Sequence, residues 1–266
     1  LADALHRLVA EDPCVRIEHH ASANETVLYG IGELHLRVLL ERMAERYAVR
    51  VRTHAPSIPY RETIMAPAEG HWRHRKQTGG AGQFGEVFLR VEPLARGAGF
   101  EFVDEVVGGA IPHTFIPAVE KGVRQALERG AIAGFALEDL RVTVFDGKHH
   151  PVDSKEVAFV EAGRRALLDA VAKAQPAVLE PIVQLEITLP AALQGDVAAD
   201  LATRRGRIAG NVSLAGGRVR IAAVAPLAEL GDYAVRLRSL TGGDGAYRLA
   251  LSHYDPVPPR RQQELV

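Results

Sequence analysis

Two short polar segments hold the side chains whose types and spacing could do chemistry. They are Asp146-Gly-Lys-His-His-Pro-Val-Asp-Ser-Lys-Glu156 and Gly79-Gly-Ala-Gly-Gln-Phe-Gly85. The first offers Lys148, His149, His150, Asp153 and Lys155; the second offers backbone N–H groups and the Gln83 amide around Gly79, Gly80 and Gly82. Adjacent histidines do not easily share a metal, and no cysteine or carboxylate nearby has ligand spacing. His150 with Asp153 has the composition of a free-standing His/Asp enzyme, yet no G-x-S-x-G nucleophile turn accompanies the pair. Gly80-Ala-Gly-Gln-Phe-Gly85 matches the dinucleotide pattern G-x-G-x-x-G, but the residues after it alternate as a strand. The pattern needs a helix there, to hold a pyrophosphate at its N-terminus. No G-x-x-x-x-G-K-[ST] occurs, so the 266 residues carry no phosphate-binding P-loop and no cofactor site of their own. What remains is an ordinary solvated turn or a contact with RNA, whose phosphates, 2′-hydroxyls and unstacked bases suit such groups. Arg204-Arg-Gly-Arg207 poses a similar choice. Arg204, Arg205 and Arg207 either complement a helix dipole or clamp phosphate. The run His71 to Lys76 reads as a charged strand edge, with Trp72 as packing.

The elements around these segments are legible from periodicity. Leu140 to Phe145 alternates as a strand; Val157, Val160, Leu167, Leu168 and Val171 recur at helical spacing. Asp153 stands three residues before Glu156, the spacing of a capping box. Strand, turn and capped helix make a protruding tip, backed by the glycine-rich loop. Ahead of it lie the strands Glu86 to Val91 and Phe100 to Val107. A helix with Pro117 in its first turn follows, closed by Gly130. The N-terminal segment reads helix (Leu1, Leu5, Leu8, Val9), strand (Cys14 to Glu18), strand (Glu25 to Tyr29), helix (Leu34 to Tyr47), strand (Val49 to Arg52). That order is a split βαβ motif without its first strand, which points to a longer parent or a neighbouring segment. The lack of an initiating methionine agrees. The C-terminal segment reads as a complete β-α-β-β-α-β unit, from Ile182 to Leu251, with a loosely held tail from Pro256. The expected organisation is α+β in three domains, 1–65, 66–178 and 179–266.

Composition sets the outer bounds. A 47% apolar and 24% charged content is ordinary for folded domains, and the net charge of −1 restricts any RNA contact to local clusters. No apolar run approaches the ~20 residues of a membrane helix, so no membrane partner is expected. The single cysteine, Cys14, cannot form an internal disulfide. It is expected as a buried small hydrophobe in a reducing, cytoplasmic compartment.

At the residues above the chain resembles bacterial elongation factor G. The resemblance runs in order through Gly30-Ile-Gly-Glu-Leu-His-Leu36, Lys76-Gln-Thr-Gly-Gly-Ala-Gly-Gln-Phe-Gly85, Val107-Gly-Gly-Ala-Ile-Pro112 and Ile116-Pro-Ala-Val-Glu-Lys-Gly122. It continues through Asp146 to Phe159, Leu179-Glu-Pro-Ile182, Gly195 to Gly206, Pro226-Leu-Ala-Glu229 and Arg238-Ser-Leu-Thr-Gly242. It implies the third, fourth and fifth domains of a translational GTPase: ferredoxin-like modules flanking a domain like ribosomal protein S5. GTP and Mg would then belong to an N-terminal GTPase domain outside this sequence. The implied partners are that domain, the ribosome at its decoding site and stalk base, and the tRNA–mRNA complex. The implied role is translocation, with tip loops Gly79 to Gln83 and Lys148 to Asp153 in the decoding site and His150 at the family's tip histidine. Three departures stand out: Ala81 where a basic residue is usual, Pro151 beside the tip histidine, and Arg37 where an acid is common. They fit a divergent elongation factor G-like paralogue, whose task could instead be ribosome recycling, stalling or protection.

Overall fold

In the computed structural model, which describes residues 1–20, 24–77 and 82–266, the chain opens with helix α1 (Ala2–Glu11). Ala4, Leu5 and Leu8 are buried, whereas Leu1 and Val9 are exposed, so the apolar stripe is narrower than the spacing implies. Strands β1 (Arg16–His20) and β2 (Glu25–Tyr29) pair antiparallel, and helix α2 (Glu33–Tyr47) adds Leu39 and Met43 to a core with Leu5, Leu8 and Val15. His35 joins the start of α2 to the end of α1. Its Nδ1 accepts the Ile31 N–H at 3.2 Å, and its Nε2–H donates to Asp12 Oδ2 at 3.0 Å. Two expectations fail here. Cys14 is exposed, because it lies in a turn held by its backbone N–H on Asp12 Oδ1. Val49 to Arg52 forms no strand: a strand needs a ladder partner, and none lies beside it among the described residues.

That unit ends at Ile58, and Pro59–Val266 forms a second. It begins with β3 (Arg61–Ile64), a short strand between prolines that the sequence reading missed. Strands β4 (Ala68–Lys76), β5 (Gln83–Pro93) and β6 (Phe100–Asp104) follow, then helix α3 (Ile116–Arg129), strand β7 (Leu140–Lys148) and helix α4 (Glu156–Lys173). The sheet order is β4-β5-β7-β6; only β6 and β7 run parallel, and α3 crosses between them. Both helices cover one face over Val87, Leu89, Val142 and Val144. Strand alternation puts Phe84, Glu86 and Phe88 on the other face, opposite Arg75, Arg73 and His71 in the β4 register. Pro117 sits in the first turn of α3 and Gly130, at φ 75°, closes it, both as expected. The face of α4 differs from expectation. Val157 is exposed, and the buried side is Ala158, Phe159, Ala162, Gly163, Ala166 and Leu167 onward. Small residues win that face because α3 approaches closely: a Cβ on Gly122 would lie 2.0 Å from the Val160 carbonyl oxygen.

The C-terminal module comprises β8 (Pro176–Pro190), α5 (Gln194–Thr203), β9 (Arg207–Leu214), β10 (Arg218–Pro226), α6 (Tyr233–Leu240) and β11 (Ala246–Pro256). Its strand order β11-β8-β10-β9 is fully antiparallel, the anticipated β-α-β-β-α-β arrangement. The last strand of this module pairs with its first. Leu179 pairs with Pro256 of β11 on one side and Arg61 of β3 on the other. Strand β3 therefore continues, along β8, the edge that β10 occupies further on, and the linker is part of the C-terminal sheet. The tail is not loose. It forms helix α7 (Pro259–Leu265), and Gln262 Oε1 accepts the Val178 N–H at 3.2 Å. Among the described residues no helix is long and apolar enough to cross a membrane, and no cluster of ligating side chains could hold a metal.

Candidate nucleic-acid interface

Strand β7 runs beyond Phe145 to Lys148, which lies across the ladder from Glu86 with its side chain exposed. His149, also exposed, donates from Nδ1 to the Ala110 carbonyl at 3.2 Å. His150 organises the turn that follows. Its N–H donates to Ser154 Oγ at 2.8 Å, and its carbonyl accepts the Ser154 N–H at 3.1 Å. Its Nδ1 receives the N–H groups of Val152 at 3.3 Å and Asp153 at 3.2 Å. A ring nitrogen that accepts cannot carry the proton, so the neutral ring holds it on Nε2. The half-exposed side chain thus offers an N–H donor to the outside. Asp153 Oδ2 lies 3.4 Å from Nδ1, but that nitrogen already accepts from the backbone. The hydrogen bond by which a carboxylate orients a catalytic histidine is therefore missing.

Asp153 does not cap α4 as its spacing suggested. Lys155, an exposed residue, occupies the cap position, and no side chain bonds the first N–H groups. The carboxylate is used across the tip: Asp153 Oδ1 accepts the Gly82 N–H at 3.1 Å. The Asp153 carbonyl accepts the Phe84 N–H at 2.9 Å, and Ser154 Oγ donates to the Phe84 carbonyl at 3.0 Å. The two polar segments are thus stitched together. A Cβ on Gly82 would come 2.8 Å from Asp153 Cγ, so a larger residue there would displace the Asp153 carboxylate. Gly79, Gly80 and Ala81 lie outside the described residues. Gln83 opens β5, where its Oε1 lies 3.2 Å from His74 Nε2, across to β4.

Strand β4, expected as a charged edge, brings further cations to the tip. Arg73, Arg75 and Lys76 line one side of a groove of about 300 Å³, with Phe84, His150 and Asp153 also lining it. The Arg73 guanidinium lies 5.2 Å over the Phe84 ring, and the His150 ring meets it edge-on at 6.4 Å. The available signal was hairpin register: alternation through Glu69, His71, Arg73 and Arg75 places the arginines on the face of Phe84. One step along β5, Glu86 is buried, with Oε1 at 2.9 Å from His71 Nε2 and Oε2 unpartnered. Trp72, on the opposite face, lies under the Arg165 guanidinium at 5.0 Å, consistent with packing.

The arginine run is drawn inward. Arg204, at the C-terminal cap of α5, donates to Asp200 Oδ2 at 3.0 Å, Asp232 Oδ1 at 2.6 Å and the Glu229 carbonyl at 2.7 Å. Arg205, in left-handed backbone at φ 59°, pairs with the buried Glu180 and with Glu229. Asp232 and Asp200 raise the Arg204 pKa, and Glu180 that of Arg205. Arg207 is exposed on β9 and makes no ion pair among the described residues.

Comparison with known proteins accounts for nearly the whole chain. Family models for elongation factor G match as domain III over residues 1–55, domain IV over 56–175 and the C-terminus over 177–265. The chain belongs to the elongation factor G family. A Thermotoga maritima protein described as "Elongation factor G-like protein" is 41% identical over 266 residues, which is 100% of this chain and 39% of that protein. A crystal structure from Thermus thermophilus superposes with a TM-score of 0.88 at 41% identity, covering 99% of this chain and 39% of its own. The chain thus spans about two fifths of the length of these relatives.

Proposed function

We propose that this chain is the ribosome-engaging part of an elongation factor G-like translational GTPase, and that its domain IV tip enters the decoding site to promote tRNA–mRNA translocation. The observation that carries the reading is the stitched tip. Asp153 and Ser154 lock the turn after β7 to Gly82 and Phe84 at the start of β5, so a rigid scaffold holds the end of the glycine-rich segment beside the turn that carries the His150 donor. GTP and Mg would be handled by an N-terminal GTPase domain of the whole protein, and the C-terminal module would meet the stalk base, with Arg207 among its exposed cations. The setting is the cytoplasm. A second reading keeps the ribosome and changes the task to recycling, stalling or protection. Ala81 and Pro151 favour it, since one removes a cation and the other stiffens the tip, as does the relative described only as elongation factor G-like.

The test is ribosome binding by Lys148→Ala/His150→Ala as a function of salt. Every phosphate that goes unneutralised lowers the slope of log affinity against log salt by about 0.7–0.9. The double variant is expected to bind less tightly with a shallower slope, and an unchanged slope removes the tip from the interface. Translocation assays on the whole protein separate the two readings: translocation by the wild type that the double variant loses supports the first, and ribosome binding by the wild type without translocation supports the second.

A further inference from the structure

We infer that β9 (Arg207–Leu214) is a docking edge for an extended, acid-flanked peptide of a protein partner, which adds to the C-terminal sheet as a further strand. The inference concerns a surface remote from the tip loops and does not rest on the ribosome reading. The edge itself is the first argument. In the order β11-β8-β10-β9, the strand has a neighbour on one side alone. Its outward N–H and C=O groups make no hydrogen bond among the described residues. Every residue from Arg207 to Ser213 is exposed, so neither face of the strand is covered. Unpaired strand groups are a template for another chain, and folded proteins blunt them with charge, proline or bulges. The other edges of the two larger sheets are blunted in that way: β4 ends in Arg73-His-Arg-Lys76, β6 carries Glu101 and Asp104, and β11 carries Arg248 and Asp255. Ile208 to Gly217 holds no charged residue and no proline. The ladder irregularity lies at the start of β9, and Gly210 to Leu214 pairs regularly with Arg218 to Ala222.

Charge and side-chain pattern select the occupant. The register puts Val212 beside Arg220 and Arg207 beside Val224, on the sheet face opposite the core of α5 and α6. Between those pairs Gly210 and Ala222 leave a flat floor, and Val212 is 62% exposed. Arg207 and Arg220 are exposed and form no ion pair among the described residues, whereas Arg218 is held by Asp244. Cations at either end of an apolar centre match a strand with β-branched residues in its middle and carboxylates at its ends. A second copy matches poorly. Antiparallel pairing about Gly210 and Asn211 sets Arg207 of one copy towards the Arg218–Arg220 end of the other, where like charges repel. RNA phosphates would satisfy the arginines but would leave the row of backbone groups without a ladder.

The experiment is fluorescence anisotropy of the 266-residue chain with labelled Glu-Thr-Val-Thr-Val-Thr-Glu, together with amide hydrogen exchange over residues 207–214. Binding is expected, with exchange slowed in that segment. Alternate amides of an extended peptide face opposite neighbours, so methylating its threonine nitrogens or its valine nitrogens blocks opposite edges. One methylated form is expected to bind about tenfold more weakly or worse, and the other to keep the parent affinity. Val212→Asp is expected to abolish binding with its thermal midpoint unchanged, and Arg207→Gln to weaken it about threefold. No binding, unaltered exchange in 207–214, equal affinity of the two methylated forms, or displacement of the peptide by equimolar hexauridylate overturns the proposal. So does a dimer in sedimentation that Val212→Asp abolishes, which would make the edge a contact between copies.

Discussion

Glu62 is fully buried, and its carboxylate is saturated by backbone. Oε2 accepts the N–H groups of Ala131 at 2.5 Å and Ile132 at 3.0 Å; Oε1 accepts those of Ala133 at 2.8 Å and Phe135 at 3.0 Å. The loop after α3 is therefore wrapped around a side chain on β3, which is itself laddered to β8. Removing the carboxylate strands four part-buried donors, each costing up to ~1–3 kcal/mol, so Glu62→Ala is expected to cost about 3 kcal/mol or more, read from the urea midpoint. Glu62→Gln keeps one accepting oxygen and should lose less. Glu161 makes a different prediction, on pH. Hydrogen bonds from Arg164, then Arg165, pull its carboxyl from 4.5 down to about 2. The folded state holds that proton less tightly than the unfolded chain, so the stabilisation is complete above pH 4.5 and is lost as pH falls towards about 2. Glu161→Gln should flatten the pH dependence of the urea midpoint in that window and leave its slope near neutrality unchanged. Neither role is legible in sequence. Glu62 is an unremarked acid between Arg61 and Thr63, and its partners are some 70 residues away. Asp153 misleads for the same reason: its spacing fits a cap, but Gly82 competes for the oxygen from across the tip.

Among elements, the pairing of α3 with α4 is the most sensitive. A Cβ on Gly122 would meet the Val160 carbonyl oxygen at 2.0 Å, and one on Gly163 would meet the Val119 carbonyl oxygen at 2.7 Å. Both obstacles are backbone, so the helices must part rather than a side chain turn aside. Gly122→Ala gains helix propensity of under ~1 kcal/mol but is expected to lose ~1–3 kcal/mol net through overpacking. Thermal unfolding checks it, and a midpoint at or above wild type contradicts the close crossing. Elements with strong periodicity, such as α2, α3, β5 and β10, were legible because burial of one face dictates their spacing. Strand β3 was not: four residues between Pro59 and Pro67 carry no period, and their partner β8 is remote in sequence. The tail was misread because its helix is anchored by Gln262 and Val257 on Val178, not by an apolar stripe of its own.

At the scale of the whole molecule, charge and topology concentrate in one place. A chain of near-zero net charge brings Arg73, Arg75, Lys76, Lys148 and Lys155 to the β4–β5 and β7–α4 ends of one sheet. The strand that enters this domain, β3, is laddered into the sheet of the C-terminal module, so the linker itself is ordered. The sequence made the tip recognisable as two loops, while their stitching and the groove beside them arise only from the hairpin register. The most direct measurement of the central claim is cross-linking from the tip to ribosomal RNA. Val152 is 76% exposed at the apex of the turn, and Cys14 is the only native thiol. A photo-cross-linker on Val152→Cys, in a Cys14→Ser background, is expected to label small-subunit RNA at the decoding site, with the labelling suppressed by Lys148→Ala/His150→Ala. Labelling confined to the large subunit, or labelling that those substitutions leave unchanged, would contradict the account.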